Sequence, residues 1–214
     1  MDKADAVAFG FPAGVNCDGI SPGQRNGDGI LQSGEAGPTP AYATVIIWVG
    51  GETAYFWTDL SSANMIGDQI PSNGAAPMNC QNFTVPLVNS FPNGKISGTS
   101  VYAYGYNGAN WFGLSSAITV IPAFWFGSSP SIPVQFAYNI DQKIDDGQPT
   151  TGVVQAMYIN YQGNGAINGV WGTKLAPSAI TDSSTTCYNS ATNTYSTNQN
   201  GGNNTNCGMS FKFQ

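Results

Sequence analysis

Between Asn139 and Ala156 the chain reads NIDQKIDDGQPTTGVVQA, which sets three carboxylates, Asp141, Asp145 and Asp146, around a glycine and a proline. Carboxylates at that spacing admit three kinds of chemistry. They can accept backbone N–H bonds and fix a turn. With turn carbonyls they can hold a hard cation such as Ca2+. Two of them can share acid and base work, but Asp145 and Asp146 are adjacent and point apart, whereas a catalytic pair must face each other across a substrate. If a helix ends here, its unpaired carbonyls add negative charge, so Asp145 and Asp146 need compensation. Lys143, the N–H groups of the DGQPTTG turn, or a cation can supply it.

A second acidic segment, QRNGDGILQSGE, places Asn26 and Asp28 at positions 3 and 5 of a calcium-loop spacing, Gly29 at 6 and Glu35 at 12. Gln24 stands where the first aspartate belongs, so a plain Asn-Gly-Asp-Gly turn competes with the metal loop. Tyr102, Tyr104 and Tyr106 recur at every second residue and share one face of a strand. Turned outward they form a surface that binds sugar or protein; turned inward they are sheet packing.

Composition removes other chemistries. Histidine is absent, and with it Ser-His-Asp, Cys-His and zinc-histidine catalysis. Charged residues make up 8% of the chain and the net charge is −6, so there is no cationic footprint for nucleic acid or an anionic membrane surface. The expectation is a non-enzymatic protein that requires no cofactor, with Ca2+ the ion its acidic turns suit.

Cys17, Cys80, Cys187 and Cys207 show no CxxC spacing, which disfavours redox and zinc-ribbon motifs. Their even number fits two disulfides and an exported protein. Three pairings are open. Cys187 with Cys207 is favoured, because the segment between them, YNSATNTYSTNQNGGNNTN, is too polar to order itself and gains most from covalent closure. Cys17 then pairs with Cys80. The opening MDKADA lacks the apolar core of a signal peptide, so the expectation is that an export-bearing N-terminus precedes Asp2 in nature and that Met1 is an added start residue.

The elements that must position these groups follow from periodicity. The 214 residues suit a single domain, 1–214. Residues 10–40 are rich in Gly, Pro, Asn and Asp and read as a long loop. Tyr42 to Val49 suits either a buried strand or a helix start. Glu52 to Ile66 carries Phe56, Leu60 and Ala63 at helical spacing, with Gly67 as its stop. Ile96 to Ile121 reads as a hairpin turning at YNGAN. Ser131 to Asp145 is helical through Val134, Ala137, Tyr138 and Ile144, with Asp141, Gln142 and Asp145 on its charged face. Val153 to Ile159 and Met209 to Phe213 read as strands. The order predicts an α+β domain with an antiparallel sheet.

Three segments together resemble one family, the pilin-like proteins with a prepilin-type N-terminal cleavage and methylation segment, relatives of type IV pilins and type II secretion pseudopilins. NIDQKIDDGQPTTGVVQA is similar to that family's N-I-D-x-K-[IM]-D-D-G-x-P-x-[ST]-G-x-V-x-A signature. ETAYFWTDLSSANMI, at 52–66, resembles its acidic start and aromatic-Trp pair, with Asp59 where a basic or polar residue is usual. Cys187 to Phe213 resembles its C-terminal cystine loop (187–207) and closing strand, and ADAVAFGF with RNGDGIL resembles the stretch after its long N-terminal helix.

The resemblance implies a pilin-like head domain with an antiparallel sheet, flanking helices and a C-terminal cystine loop. It implies a structural subunit of an extracellular filament or a periplasmic pseudopilus, exported from an inner-membrane precursor. Self-association and membrane contact would run through an apolar N-terminal helix that this sequence lacks, and the partners would be pilus or secretion machinery. The rival from another class is a secreted carbohydrate-binding or adhesive module that uses exposed aromatics and Ca2+.

Overall fold

A computed structural model of the protein describes residues 3–11, 25, 27–31, 51–68, 70, 91–121, 125–160 and 172–214. The segment 42–49, most of the 10–40 loop, Cys17, Cys80, Asn26 and Glu35 lie outside the described residues.

A short helix α1 (Lys3–Ala8) precedes α2 (Gly51–Ser62). Helix α2 stops earlier than Gly67. Asn64 adopts a left-handed φ of 55° while Met65 N–H reaches Leu60 O and Asn64 N–H reaches Ser61 O, a Schellman ending built on asparagine. The chain is then pinned by Ser61, whose hydroxyl donates to Asp68 O and accepts from Ile70 N–H.

The predicted hairpin forms from β1 (Ser100–Tyr106) and β2 (Ala109–Ile121). Its two-residue turn has Asn107 at φ 49° and Gly108 at φ 69°, the positive-φ pair that matches strand twist and that Asn-Gly supplies with little strain. A third strand, β3 (Trp125–Ser129), which the periodicity did not reveal, pairs with β2 across a register shift between Ala117 and Thr119.

Helix α3 (Val134–Ile144) begins after Pro133, later than Ser131, because proline fixes an extended turn before its first residue. The stretch 153–159 is two strands rather than one: β4 (Val154–Gln155) and β5 (Met157–Asn160). The chain changes sheets at Ala156, whose N–H bonds Pro149 O and whose carbonyl accepts from Ala176 N–H. Strand β6 (Gly172–Leu175) pairs with β5. Three two-residue strands, β7 (Ser178–Ala179), β8 (Tyr188–Asn189) and β9 (Thr194–Tyr195), form a small satellite sheet. The last strand, β10 (Met209–Lys212), lies between β2 and β4, so the main sheet runs β1-β2-β10-β4 with β3 also on β2. All its pairings are antiparallel, as expected; β7 with β8 in the satellite sheet is parallel.

Strand alternation divides the main sheet into two faces. Register puts Phe112, Leu114, Met209, Phe211 and Val154 together, and α2, α3 and the cystine loop cover that side. Phe112 stacks on Phe213 at 4.1 Å and meets Phe56 and Trp57 of α2 edge-on or tilted at 5.7 Å. Beneath α3, Ile132, Val134, Ala137, Val154, Ala156 and Met209 pack around the cystine. The opposite face carries Tyr102, Tyr104, Trp111, Ser115 and Ser210, on which β5 lies. Among the described residues, α2 and α3 lie on one face of the antiparallel sheet, an α+β arrangement.

Candidate functional site

The carboxylates singled out in the sequence converge where α3 gives way to β4. The spacing of Val134, Ala137 and Asp141 sets all three on the buried stripe of α3, at i, i+3 and i+7. Asp141 is therefore not on the charged face as expected: it is fully buried, while Ile144, expected inside, is 58% exposed. A buried carboxylate requires donors. Tyr195 O–H of β9 donates to Asp141 Oδ2 at 2.7 Å and Gly147 N–H donates to Oδ1 at 3.1 Å. Burial pushes the Asp141 carboxyl up, more than these two donors lower it, and the neighbouring Asp146 and Asp145 charges push the same way. The Tyr195 phenol is raised in turn, by burial and then by Asp141.

Asp145 caps α3 and turns its carboxylate forward onto the next strand. Its Oδ2 accepts from Val153 N–H and, at 2.9 Å, from Val154 N–H, tying the end of the helix to the start of β4. Gly152 stands against this carboxylate with φ 73°, so any Cβ there would collide with Asp145 in a backbone region that disfavours side chains. Asp146 closes the turn itself: Oδ1 accepts from Gln148 N–H at 2.8 Å and Oδ2 from Thr151 O–H at 2.7 Å. These bonds, Thr151 first, hold its carboxyl below the usual aspartate range.

The compensation demanded by three negative charges at a helix C-terminus thus comes from N–H and O–H groups rather than from Lys143, which is exposed. One oxygen from each aspartate lies within 4.8 Å of the others, close enough for a shared cation. Calcium asks for six to eight oxygens. Here both oxygens of Asp141, both of Asp146 and one of Asp145 already accept protein donors, so hydrogen bonding accounts for the geometry without an ion.

The second predicted loop is only partly visible. Asp28 Oδ1 accepts from Ile30 N–H at 2.8 Å, the local turn that competes with metal ligation, while Asn26 and Glu35 lie outside the described residues. Segment 27–31 is instead anchored by Asn110, whose amide donates to Gly29 O and Gln214 Oε1 and whose carbonyl oxygen accepts from Leu31 N–H.

The tyrosine stripe turns inward, which corrects the outward reading. Tyr102 and Tyr104 are 2% and 0% exposed and offer no stacking surface; Tyr106 is half-buried. Their hydroxyls serve the fold. Tyr104 O–H donates to Ser210 Oγ at 2.6 Å, which donates to Met157 O. Tyr102 O–H, Ser115 and Ser128 form a relay ending on Ile159 O, and Ile159 N–H returns to the Tyr102 oxygen at 3.1 Å. That circuit binds β5 to β1, β2 and β3.

Cys187 and Cys207 form the expected disulfide, with a Cα–Cα distance of 5.0 Å, and both are fully buried. The loop between them is better ordered than its polarity suggests, since β8 and β9 pair within it and Tyr188 and Tyr195 fill the core beside the cystine. The Cys17–Cys80 pairing lies outside the described residues.

A further cluster had no sequence signal beyond Asp59 itself. Arg25 Nη2 and Asp59 Oδ2 form a buried ion pair at 2.5 Å, with the guanidinium 5.4 Å from the Tyr55 ring centre. They sit at the edge of a cleft of about 500 Å³ between α2, segment 29–31 and the C-terminal residues. Among the described residues, no helix is long and apolar enough to cross a membrane. The chain matches no protein-family model, no curated protein and no solved structure.

Proposed function

We propose that this protein is the head domain of a pilin-like subunit, a structural, non-enzymatic component of an extracellular filament or secretion pseudopilus. The observation that carries the reading is the Asn139–Ala156 segment. Its resemblance to the family signature covers the residues that lock helix to strand: Asp141, Asp145, Asp146, Gly147 and Gly152. A signature retained for architecture would concentrate on such residues, and the carboxylates are turned onto the chain's own N–H groups rather than onto an open cavity. An α+β head with helices on one face of an antiparallel sheet and a C-terminal cystine supports the same reading. So does a surface whose polarity comes from amides and hydroxyls, with only 8% of residues charged.

The mechanism is mechanical. Filament assembly would run through an apolar helix N-terminal to this sequence, and the head would be presented to the medium. Immunogold labelling of source cells with antibody raised to this domain tests it. Gold along filaments or at envelope-spanning assemblies is the expected result. Label confined to free protein in the medium, together with coding sequence that places an ordinary cleaved signal directly before Asp2, would sink the proposal.

A further inference from the structure

Both halves of the cystine are 0% exposed, so no thiolate from solvent reaches either sulfur while the fold around them stays shut. The two halves belong to different parts of that fold. Cys207 is fixed to the main sheet and the lead into α3: its N–H donates to Ile132 O, its carbonyl accepts from Ser131 and Ile132 N–H, and β10 follows it. Cys187 belongs to the satellite sheet, where its N–H donates to Pro177 O and its carbonyl accepts from Ser196 N–H.

The satellite sheet is the slighter of the two. Its three strands have two residues each, too short to stand without support. Support comes from side chains that reach across to α3 and the turn after it. Tyr195 O–H of β9 donates to the buried Asp141 of α3 at 2.7 Å, and the Tyr195 ring lies 6.0 Å from that of Tyr138. Thr150 O–H donates to Asn193 Oδ1 at 2.7 Å, and the Asn193 amide donates to Gln148 Oε1 at 3.4 Å. Asn206, next to Cys207, donates to the carbonyls of Ser184 and Thr186. Of these bonds the one between Tyr195 and Asp141 alone is fully buried; the others lie where water competes for them.

We propose that β7, β8 and β9 are a lid over the cystine, that Tyr195 and Asp141 are its latch, and that thiol–disulfide exchange at Cys187–Cys207 proceeds through local opening of this lid while the main sheet stays folded. In the opened form a dithiol reacts in two steps. Its thiolate attacks one cystine sulfur, the S–S bond breaks, and the other cysteine leaves as a thiolate that takes up a proton. The second thiol of the reductant, as thiolate, then attacks the mixed disulfide and releases the first cysteine. The cystine is reduced to two thiols and the dithiol is oxidised to a cyclic disulfide. With the lid shut neither step starts, so the folded protein keeps its bond in a reducing medium for as long as the latch holds. The lid requires nothing of filament assembly, and either reading can fail without the other.

The test is the rate at which excess dithiothreitol, at fixed pH, reduces the folded protein, read by alkylation and peptide mass at Cys187 and Cys207. Wild type should react about a hundredfold or more slowly than the same chain unfolded in urea. Tyr195→Phe keeps the ring but removes the donor of the latch, and should speed reduction about tenfold or more, as loss of a hydrogen bond to a buried carboxylate does. Tyr102→Phe removes a hydroxyl buried on the opposite face of the main sheet and orphans Ile159 N–H; it should lower Tm yet change the rate by less than about twofold. In wild type alone, urea below the unfolding midpoint should raise the rate with less than about a third of the slope of global unfolding, because opening the lid exposes little area. Reduction as fast as in the unfolded chain, an unchanged rate in Tyr195→Phe, equal acceleration by the two variants, or the full urea slope would overturn the lid.

Discussion

Asp145 spends one carboxylate oxygen on two consecutive N–H groups and so ties the end of α3 to the start of β4. Asp145→Ala orphans the donors of Val153 and Val154. It should cost about 1–2 kcal/mol, as loss of a helix cap or a buried acceptor does, and lower Tm by about 3–6 °C for a chain of this size. An unchanged melting curve would show that the turn is held elsewhere. Because protein donors already engage five of the six carboxylate oxygens, adding Ca2+ or EDTA should move Tm by less than about 1 °C; a rise of several degrees with Ca2+ would reveal a cation the hydrogen bonds do not require.

Acid should act on Asp146 and Asp141 in opposite senses. Asp146 has its folded carboxyl depressed by Thr151 and Gln148, so its contribution is present above the ordinary aspartate pKa and is lost as pH falls through the folded value. Asp141 is raised by burial, so its contribution is present at low pH and is lost as pH rises through its folded value. The Tm gap between wild type and Asp146→Asn should therefore be widest near neutrality and close as pH falls below the ordinary aspartate range, read by calorimetry across pH. A gap that stays constant across that window would exclude a charge-linked role for Asp146.

At the scale of elements, the cystine loop shows what a covalent tie holds in place. Cys187→Ser with Cys207→Ser releases a 20-residue separation, worth about 3 kcal/mol in chain entropy, and loosens Tyr195 from Asp141 as well. The double variant should melt lower than Asp145→Ala; a loss no larger than that of the single cap would mean β8 and β9 are held by their own packing.

The elements also show where sequence suffices. Helix α2, the Asn-Gly hairpin, α3 and β10 follow from period and turn chemistry, and the cystine from loop polarity. The misses have physical causes. Asn64 ends α2 because a Schellman turn accepts asparagine as well as glycine, so Gly67 was not needed. Asp141 reads as an outward residue because carboxylates seldom take a core position; its i+7 relation to Val134 is present in the sequence, but Tyr195, its donor, lies 54 residues away. The run 153–159 has one continuous apolar character, and only the long-range bonds of Ala156 to Pro149 and Ala176 split it between two sheets. The tyrosine stripe was ambiguous because period two identifies a shared face but not which side of the sheet is covered, and it is β5 that covers it.

Taken whole, the described part of the molecule uses buried polar groups as ties. Hydroxyl circuits through Tyr102 and Tyr104 and the carboxylate-filled turn join elements distant in sequence, while few surface positions carry charge. The placement of β10 has a consequence for how the protein is made. Residues 209–212 supply the strand between β2 and β4, and Cys207, just before it, is half of the cystine. A nascent chain that has emerged as far as Asn206 has β2 and β4 with an empty slot between them and Cys187 without its partner Cys207. The sheet cannot close while the ribosome still holds those residues. Closure of the main sheet and formation of the Cys187–Cys207 disulfide thus wait on one short segment, residues 207–212.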